Sequence, residues 1–282
     1  MTSTRSSWTR CFEVIMDAGK PALEARVPPH LEQNSARDLH SALYPATHRF
    51  QLIDTSGKAT LTPIAPDEAY TVSGVEREYV SAEEDELDID ATLPSYLTNS
   101  ILIDEVFVEG NWRIASLVTA DGRAMFCKAN GHGGGLVGTD VGRELECVQD
   151  IRRLLPPTHE PRIRIPQLLG YVRHFDSGRV VGFVREWVPG RLLRNIDIAA
   201  VPVQQSRKWL GQIDDTVRAL HTQQIIWGDG KAASVSIDEQ DDAWLIDFGG
   251  GWTDGWVDKE LADTVEGDQQ ALIKIDEFLK VD

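Results

Sequence analysis

The sequence predicts an α+β fold in which a mainly antiparallel sheet precedes a largely helical C-terminal part. From residue 101, three strand-like segments follow one another, ILIDEVFV, WRIASLVTADG and RAMFCKA, and the turn ADGR joins the last two. Helical periodicity follows in GRELECVQDIRRLL and in PVQQSRKWLGQIDDTVRALHTQQ. Because strands precede helices rather than alternating with them, the pattern favours the α+β class over parallel βαβ units.

The remaining elements follow in chain order. Residues 1–98 are predicted to be an extension of mixed structure, with a hairpin in RFQLIDTSGKATLTPI, an acidic surface loop in SAEEDELDID and a linker in TLPSYLTNS. PQLLGYVRHFDSGRVVGFVREWV predicts two strands around DSG, and DQQALIKIDEFL predicts a final helix. The long helix has one apolar face, formed by Trp209, Leu210, Ile213, Val217 and Leu220.

Composition narrows the classes of function. The 282 residues include 28 Lys and Arg against 45 Asp and Glu, which gives a formal net charge of −17. This charge disfavours binding to a phosphate backbone, so we expect no nucleic-acid partner. A nucleotide site remains compatible with it, because one local lysine and a metal ion offset the overall field. No apolar run reaches the roughly 18 residues of a membrane-spanning helix, so we expect no membrane partner.

The first residues and the cysteines favour an intracellular location, cytoplasmic or nuclear. The opening MTSTRSSWTRCFEVIMDAGK lacks the long apolar core of a signal peptide. Cys11, Cys127 and Cys147 are an odd number without a pairing pattern, which suits a reducing compartment.

The segment GHGGGLVG matches the dinucleotide-binding pattern G-x-G-x-x-G at Gly133, Gly135 and Gly138. A Rossmann unit also requires an acidic residue about 20 residues further on, at the end of the next strand. The next strand here, PQLLGYVRHF, has none. We therefore interpret GHGGGLVG as a flexible glycine loop.

Two aspartates lie in glycine turns near the C-terminus, Asp229 in WGDGK and Asp247 in IDFGGG. They are 18 residues apart, and the apolar runs between them predict a hairpin. A lysine-bearing strand, a glutamate-bearing helix, a further hairpin and a long helix precede them. This order resembles the protein-kinase fold over about residues 101–282, and more narrowly the divergent kinase-like proteins of filamentous fungi.

The resemblance implies a bilobal fold with an N-terminal extension at residues 1–98. A small antiparallel lobe would occupy residues 99–188, and a truncated helical lobe residues 189–282. It also implies a phosphotransferase that uses ATP and Mg²⁺ on an unknown protein or small-molecule acceptor. The alternative is a pseudokinase that serves as a nucleotide-binding or scaffold module.

The resemblance implies catalytic and metal-binding roles for residues near the C-terminus. Asp247 would hold Mg²⁺, because a hard cation prefers carboxylate oxygen, and Ser234 stands where a second metal ligand, normally asparagine, is expected. Asp229 would accept the proton of an acceptor hydroxyl, and Lys231 would approach the transferred phosphate. The structural alternatives are a turn-capping Asp247, a plain turn at Asp229, a solvated Lys231 and a Ser234 that hydrogen-bonds its own turn.

In the small lobe, Lys128 is the candidate for the lysine that binds the α- and β-phosphates. Its acidic partner would come from the next helix, where Glu144 and Glu146 compete. Positions i+4 and i+7 from Glu144 are Val148 and Ile151, both apolar, whereas i+4 from Glu146 is aspartate. The spacing therefore places Glu144 on the buried face and Glu146 on the surface.

The segment REWVPG resembles the hinge between kinase lobes. Backbone groups of Glu186 and Val188 would then hydrogen-bond the adenine, and Arg185 would occupy the position that guards the back of the pocket, where an arginine is unusual. Asp268 would be a buried aspartate that braces the catalytic turn, with a helix N-cap as its alternative. His221 is interpreted as a structural residue.

Several kinase features are missing from the sequence. VEGNWRIAS has one glycine where a glycine-rich phosphate loop is expected, and Trp227 stands where most kinases have histidine. No APE motif follows DFG. The retained Lys128, Glu144, Asp229 and Asp247 favour the enzyme, whereas the missing glycine-rich loop and Ser234 favour the pseudokinase.

Overall fold

The structure, a computed structural model, describes residues 13–20, 37–45, 50–55, 58–64, 87–110, 113–131, 136–155 and 163–281. The fold is α+β, as the sequence predicts. Two compact units divide the chain: residues 1–36 with 45–79, and residues 37–44 with 80–282.

The helices and strands are numbered here in chain order. They are α1 (13–20), β1 (Arg37–Asp38), α2 (Leu39–Leu43), β2 (Phe50–Thr55), β3 (Lys58–Pro63), β4 (Ser95–Leu97), β5 (Leu102–Gly110), β6 (Arg113–Ala120), β7 (Arg123–Asn130), α3 (Asp140–Leu154), β8 (Leu168–Arg173), β9 (Val180–Glu186), β10 (Gly190–Leu192), α4 (Val203–Thr222), β11 (Val235–Asp238), β12 (Ala243–Leu245) and α5 (Val265–Leu279).

Within the first unit, the described residues form α1 and an antiparallel hairpin. Strand β2 pairs with β3 from Phe50 opposite Pro63 to Thr55 opposite Lys58. The hairpin predicted around DTSG is therefore confirmed.

The second unit is organised around a seven-stranded sheet of order β1-β5-β6-β7-β9-β8-β4. Every neighbouring pair is antiparallel except β4 with β8. The described strands and helix between residues 101 and 188 match the predicted antiparallel sheet with one helix. The predicted linker TLPSYLTNS is wrong in part, because its residues Ser95–Leu97 form edge strand β4. Three residues are too few to show the alternation that identifies a strand.

Side-chain alternation along β7 gives the two faces of the sheet different roles. Met125, Cys127 and Ala129 are fully buried on one face, in a cluster that also contains Leu39 and Leu43 of α2. Phe126 and Lys128 project from the other face, because successive strand side chains point to opposite sides.

A second and larger hydrophobic cluster joins the helices to the rest of this unit. It includes Leu145 of α3, Trp209 and Ile213 of α4, and Ile275 of α5, together with residues of β11 and β12. The predicted apolar face of α4 is confirmed at Trp209, Ile213, Val217 and Leu220, which are buried. Strands β10, β11 and β12 form a small antiparallel sheet, as predicted for the hairpin after WGDGK.

Helices α3 and α5 begin with the same capping arrangement. The Thr139 hydroxyl accepts a 3.0 Å hydrogen bond from the Gly142 amide, and the Thr264 hydroxyl accepts one of the same length from the Gly267 amide. A Cβ on either glycine would overlap the carbonyl oxygen of the preceding loop, Leu136 or Leu261. Threonine caps with glycine at N3 thus fix where both helices start.

None of the helices in the described ranges is long and apolar enough to cross a membrane.

Two glycines provide a matched test of packing around β9 and α4. A Cβ on Gly182 of β9 would lie 2.7 Å from the Ala129 Cα, whereas a Cβ on Gly211 of α4 would meet nothing within 4 Å. We expect Gly182→Ala to lower the free energy of unfolding by about 1–3 kcal/mol, as overpacking does. The control Gly211→Ala should raise it by about 0.5–1 kcal/mol, because alanine favours a helix. Urea denaturation measures both, and equal effects would contradict the β7–β9 packing.

Candidate active site

Lys128 lies at the centre of the candidate site. Strand β7 pairs Lys128 with Phe183 of β9, and its ammonium forms an ion pair with Glu144 of α3. The same Nζ lies 2.8 Å from the Asp247 Oδ1. Glu144 is 1% exposed, and Glu146 is exposed. The structure therefore brings Glu144 rather than Glu146 to the lysine.

Burial and neighbouring charges shift the pKa values of this group in different directions. Burial raises the pKa of Glu144, and the Lys128 ammonium acts against that rise. Burial alone would lower the pKa of Lys128, but the carboxylates of Glu144 and Asp247 raise it above its ordinary value. Partial burial would likewise raise the pKa of Asp247, yet the neighbouring Lys128 lowers it. Lys128 and Asp247 are therefore both charged at neutral pH.

Asp247 occupies a strained turn that presents its carboxylate to the site. Its φ is 66°, in the left-handed region that non-glycine residues rarely adopt. The side chain is 48% exposed, although Leu245, two residues earlier, and Phe248, the next residue, are buried. Such strain persists only where the surrounding packing imposes it, and it occurs often in functional sites.

Asp229 forms a second group with Lys231 and Thr253. Its Oδ2 pairs with the Lys231 ammonium and accepts a 2.8 Å hydrogen bond from the Thr253 hydroxyl. Lys231 Nζ also donates to the Thr253 Oγ1 at 3.0 Å. The Asp229 Oδ1 is buried and has no hydrogen-bond partner within the described residues. Sequence reasoning missed Thr253. The feature that could have identified it is its position two residues after the glycine triplet of DFGGG.

The two groups belong to one site. Lys231 contributes to lowering the pKa of Asp247, so its charge lies close to that carboxylate. The amide of Ile246 also donates a 2.9 Å hydrogen bond to the Ser234 carbonyl, which joins the two turns. The structure therefore brings Lys128, Glu144 and Asp247 into direct contact and joins their group to the turn that carries Asp229 and Lys231.

Asp268 supports the turn that carries Asp229. Its buried carboxylate accepts 2.9 Å hydrogen bonds from the amides of Trp227 and Gly228, and His221 Nε2 lies 2.8 Å from it. Burial raises the pKa of Asp268, and these hydrogen bonds oppose the rise. Thr264 rather than Asp268 is the N-cap of α5. The bracing interpretation of Asp268 therefore agrees with the geometry.

Ser234 is 1% exposed, and its hydroxyl donates a 3.3 Å hydrogen bond to the carbonyl of Asp229. This contact is the one expected if the serine only stabilises its own turn. A metal-binding role for Ser234 stays a prediction. Among the described residues, no three or more His, Cys, Asp and Glu side chains form a group that could hold a metal.

Arg143 explains Gly250, the middle glycine of the triplet that follows Phe248. Its Nη2 lies 3.0 Å from the Asp263 Oδ1, and Nη1 lies 3.5 Å from the Phe248 carbonyl. A Cβ on Gly250, whose φ is 74°, would overlap the Arg143 guanidinium. Glycine is therefore needed at 250 both for its backbone and for the space that Arg143 fills. This arginine directly precedes Glu144, so the contact ties α3 to the segment after Asp247.

The expected hinge contains Glu186 and Val188. The Glu186 amide donates to the Gln167 carbonyl at 2.9 Å, and its carboxylate accepts from the Gln167 amide at 3.0 Å. An aromatic set that sequence reasoning missed lies beside it: Phe107 stacks on Trp187 at 5.4 Å and on Phe126 at 6.3 Å between ring centroids. Gly133 and Gly135 of the glycine loop lie outside the described residues.

The chain matches no protein-family model, and a search of curated proteins finds no match. Its function must therefore be argued from the site itself.

The buried ion pair can be tested by a double-mutant cycle. We expect Lys128→Met to lower the free energy of unfolding by about 3 kcal/mol, because it leaves the carboxylate of Glu144 buried without its partner. Adding Glu144→Leu should recover most of this loss, since the charge is removed with its partner. Chemical denaturation of the single and double variants measures the coupling. Additive losses would show that the two side chains do not form a buried pair.

Proposed function

We propose that this chain is a nucleotide-dependent phosphotransferase with a bilobal, protein-kinase-like fold. The observation that carries the proposal is Lys128 held between Glu144 and Asp247, with Asp229 and Lys231 close by. Phosphoryl transfer depends on positioning and on neutralising charge more than on covalent chemistry of the protein. A cation and two separate carboxylates in one site suit those requirements.

The proposed lobes correspond to the two parts of the second unit. Strands β5–β9 with α3 would form the small lobe, and α4, α5 and the β10–β12 sheet would form the helical lobe. Glu186 is the last residue of β9 and Val188 follows two residues later, where the chain would pass from one lobe to the other. The antiparallel sheet and the position of Glu144 on α3 support this interpretation.

ATP and Mg²⁺ are the proposed cofactors, and the donor set fits the metal. Mg²⁺ is usually bound by one or two carboxylates together with waters and substrate phosphates. Asp247 offers an exposed carboxylate for it, and Ser234 a weaker second oxygen. The ion would neutralise charge on the phosphates. A three-residue metal cluster is not required for such a site.

The protein's own residues would divide the remaining tasks. Lys128, oriented by Glu144, would bind phosphate oxygens. The Asp229 Oδ1, a buried acceptor with no partner among the described residues, would receive the proton of an acceptor hydroxyl. Lys231 and Thr253 hold the other oxygen and so fix the orientation of that carboxylate. The acceptor is therefore proposed to be a molecule that carries a hydroxyl group.

A second candidate is a pseudokinase that binds nucleotide, or acts as a scaffold, without transfer. The observation that favours it is the Ser234 hydroxyl, which hydrogen-bonds to Asp229 of its own turn. Measuring ADP formation from Mg·ATP distinguishes the two functions, because binding without transfer releases none.

The central test is the melting temperature with ATP and Mg²⁺. We expect Mg·ATP to raise it in the wild type, since a ligand that binds only the folded state stabilises that state. Asp247→Asn should abolish the magnesium-dependent part of this shift, because it removes the charged ligand. Asp254→Asn is the matched control, as Asp254 is exposed seven residues further along. Equal shifts in all three proteins would assign Asp247 a structural role only.

Ser234 provides a separate test of the metal site. Asparagine reaches one atom further than serine and offers a carbonyl oxygen, so Ser234→Asn should tighten nucleotide binding at limiting Mg²⁺. We expect an effect of about tenfold, or about 1.4 kcal/mol. Titrating Mg²⁺ against nucleotide binding in both proteins measures it. Superimposable curves would show that Ser234 lies outside the metal site and would favour the pseudokinase.

A further inference from the structure

Arg185 places a buried positive charge beside the proposed hinge. It is 5% exposed, and its guanidinium carbon lies 3.9 Å from the centroid of the Phe126 ring. The β7–β9 register pairs Arg185 with Phe126, two residues before Lys128. Residues two apart on a strand share a face, so Arg185 projects from the same face of the sheet as Lys128. It therefore lies on the side of the sheet that carries the site.

Most of the hydrogen-bonding capacity of this arginine is unused. A guanidinium has five N–H donors and no acceptor. Nη1 donates one 3.3 Å hydrogen bond to the carbonyl of Glu186, and the described part of the chain provides no other hydrogen bond or ion pair for this side chain. Among the described residues, the fully buried side-chain atoms that lack a partner include none of the Arg185 nitrogens, so the remaining donors keep contact with solvent. A ligand that offers acceptors can therefore reach them.

Arg185 is not needed to neutralise the carboxylate of Glu144. Lys128 is already in direct contact with that carboxylate, and it also pairs with Asp247. The charges of Glu144 and Asp247 do influence Arg185, since they oppose the lowering of its pKa by burial. Neither carboxylate forms an ion pair with it. Their field helps to keep the guanidinium charged and leaves its donors available.

The contact with Glu186 changes the polarity of the hinge. In the proposed site, the Glu186 carbonyl would accept a hydrogen bond from the exocyclic amino group of adenine. Arg185 already donates to this carbonyl. The N6 amino group of adenine is a donor and would face further donors there. Guanine presents two acceptors, O6 and N7, and bidentate binding of these atoms by arginine is the commonest specific contact to that base.

The neighbouring aromatic rings would suit either purine. Phe107 and Trp187 are nearly parallel, at 12°, and Phe107 and Phe126 at 13°. Flat apolar surfaces of this kind stack on a planar base without distinguishing its polar edge. The choice between purines therefore falls to the hydrogen-bonding groups, and Arg185 is the one whose donors are unused.

We propose that the nucleotide site prefers a purine with a carbonyl group at position 6, guanine rather than adenine, and that Arg185 is the residue that selects it. This inference rests on the proposed function, because it concerns the base of the same nucleotide.

Isothermal titration of the full chain with GTP, ITP and ATP, at one fixed Mg²⁺ concentration, tests the preference. ITP shares O6 and N7 with GTP but lacks its 2-amino group. We expect GTP and ITP to bind at least about tenfold more tightly than ATP, a difference of about 1.4 kcal/mol. ITP that binds as weakly as ATP, with GTP tighter, would show that the 2-amino group is recognised and would overturn the assignment to O6.

Variants of Arg185 test its role directly. Arg185→Met keeps a similar volume without donors and should remove the preference for GTP. Arg185→Lys keeps the charge but loses the planar fork, so it should leave a smaller preference. Arg218→Met is the control, because Arg218 is exposed on α4. A preference unchanged in Arg185→Met would overturn the role of Arg185. If that variant does not fold, the wild-type ranking and Arg185→Lys still decide the question.

Failure of this inference can be distinguished from failure of the proposed function. A wild-type protein that binds ATP more tightly than GTP and ITP overturns the guanine preference and leaves the phosphotransferase proposal standing. A folded wild-type protein that binds none of the three nucleotides overturns both.

Discussion

The buried contact between Lys128 and Glu144 is the constraint on which the rest of the site depends. Glu144 is 1% exposed, and a carboxylate so buried is stable in its charged form only beside a cation. That requirement fixes α3 against the face of β7 that carries Lys128. Because the same lysine lies 2.8 Å from Asp247, it also fixes the turn after β12 relative to the sheet. One ammonium thus joins three separate elements of the chain.

The buried carboxylate of Asp268 is positioned by the same kind of helix start as that of Glu144. Helices α3 and α5 both begin with a threonine cap and a glycine at N3, and each carries a buried acidic residue one or two positions further on. Glu144 meets the lysine of β7, whereas Asp268 meets the amides of Trp227 and Gly228. A short, fixed helix start gives a buried carboxylate a defined position, which a frayed end would not. The two sides of the site are thus held by equivalent helix starts.

Local patterns made a large part of this arrangement predictable. The order of strands and helices gave the α+β class, and spacing along one helix placed Glu144 inward and Glu146 outward. Contacts between distant segments could not be predicted in this way. Thr253 reaches Asp229 across 24 positions, and Arg143 meets Asp263 across 120. Strand β4 also escaped prediction, since three residues show no periodicity and its partner β8 lies more than 70 residues away.

The balance of charges within the site limits which ligands can approach its cations. The chain has a formal net charge of −17, yet three cations, Lys128, Lys231 and Arg185, all act to lower the pKa of Asp247. Lys128 and Lys231 are each paired with a carboxylate, so an anion that approaches them must compete with Asp247 or Asp229. A ligand that arrives with its own divalent cation avoids this competition, because the cation can satisfy Asp247 while the phosphates take its place beside Lys128. Arg185 differs from both lysines, because it forms no ion pair within the described residues and needs no such exchange. In the proposed function, the site would therefore separate two tasks: the paired lysines would bind a metal-bound phosphate group, and the guanidinium of Arg185 would bind a neutral acceptor edge.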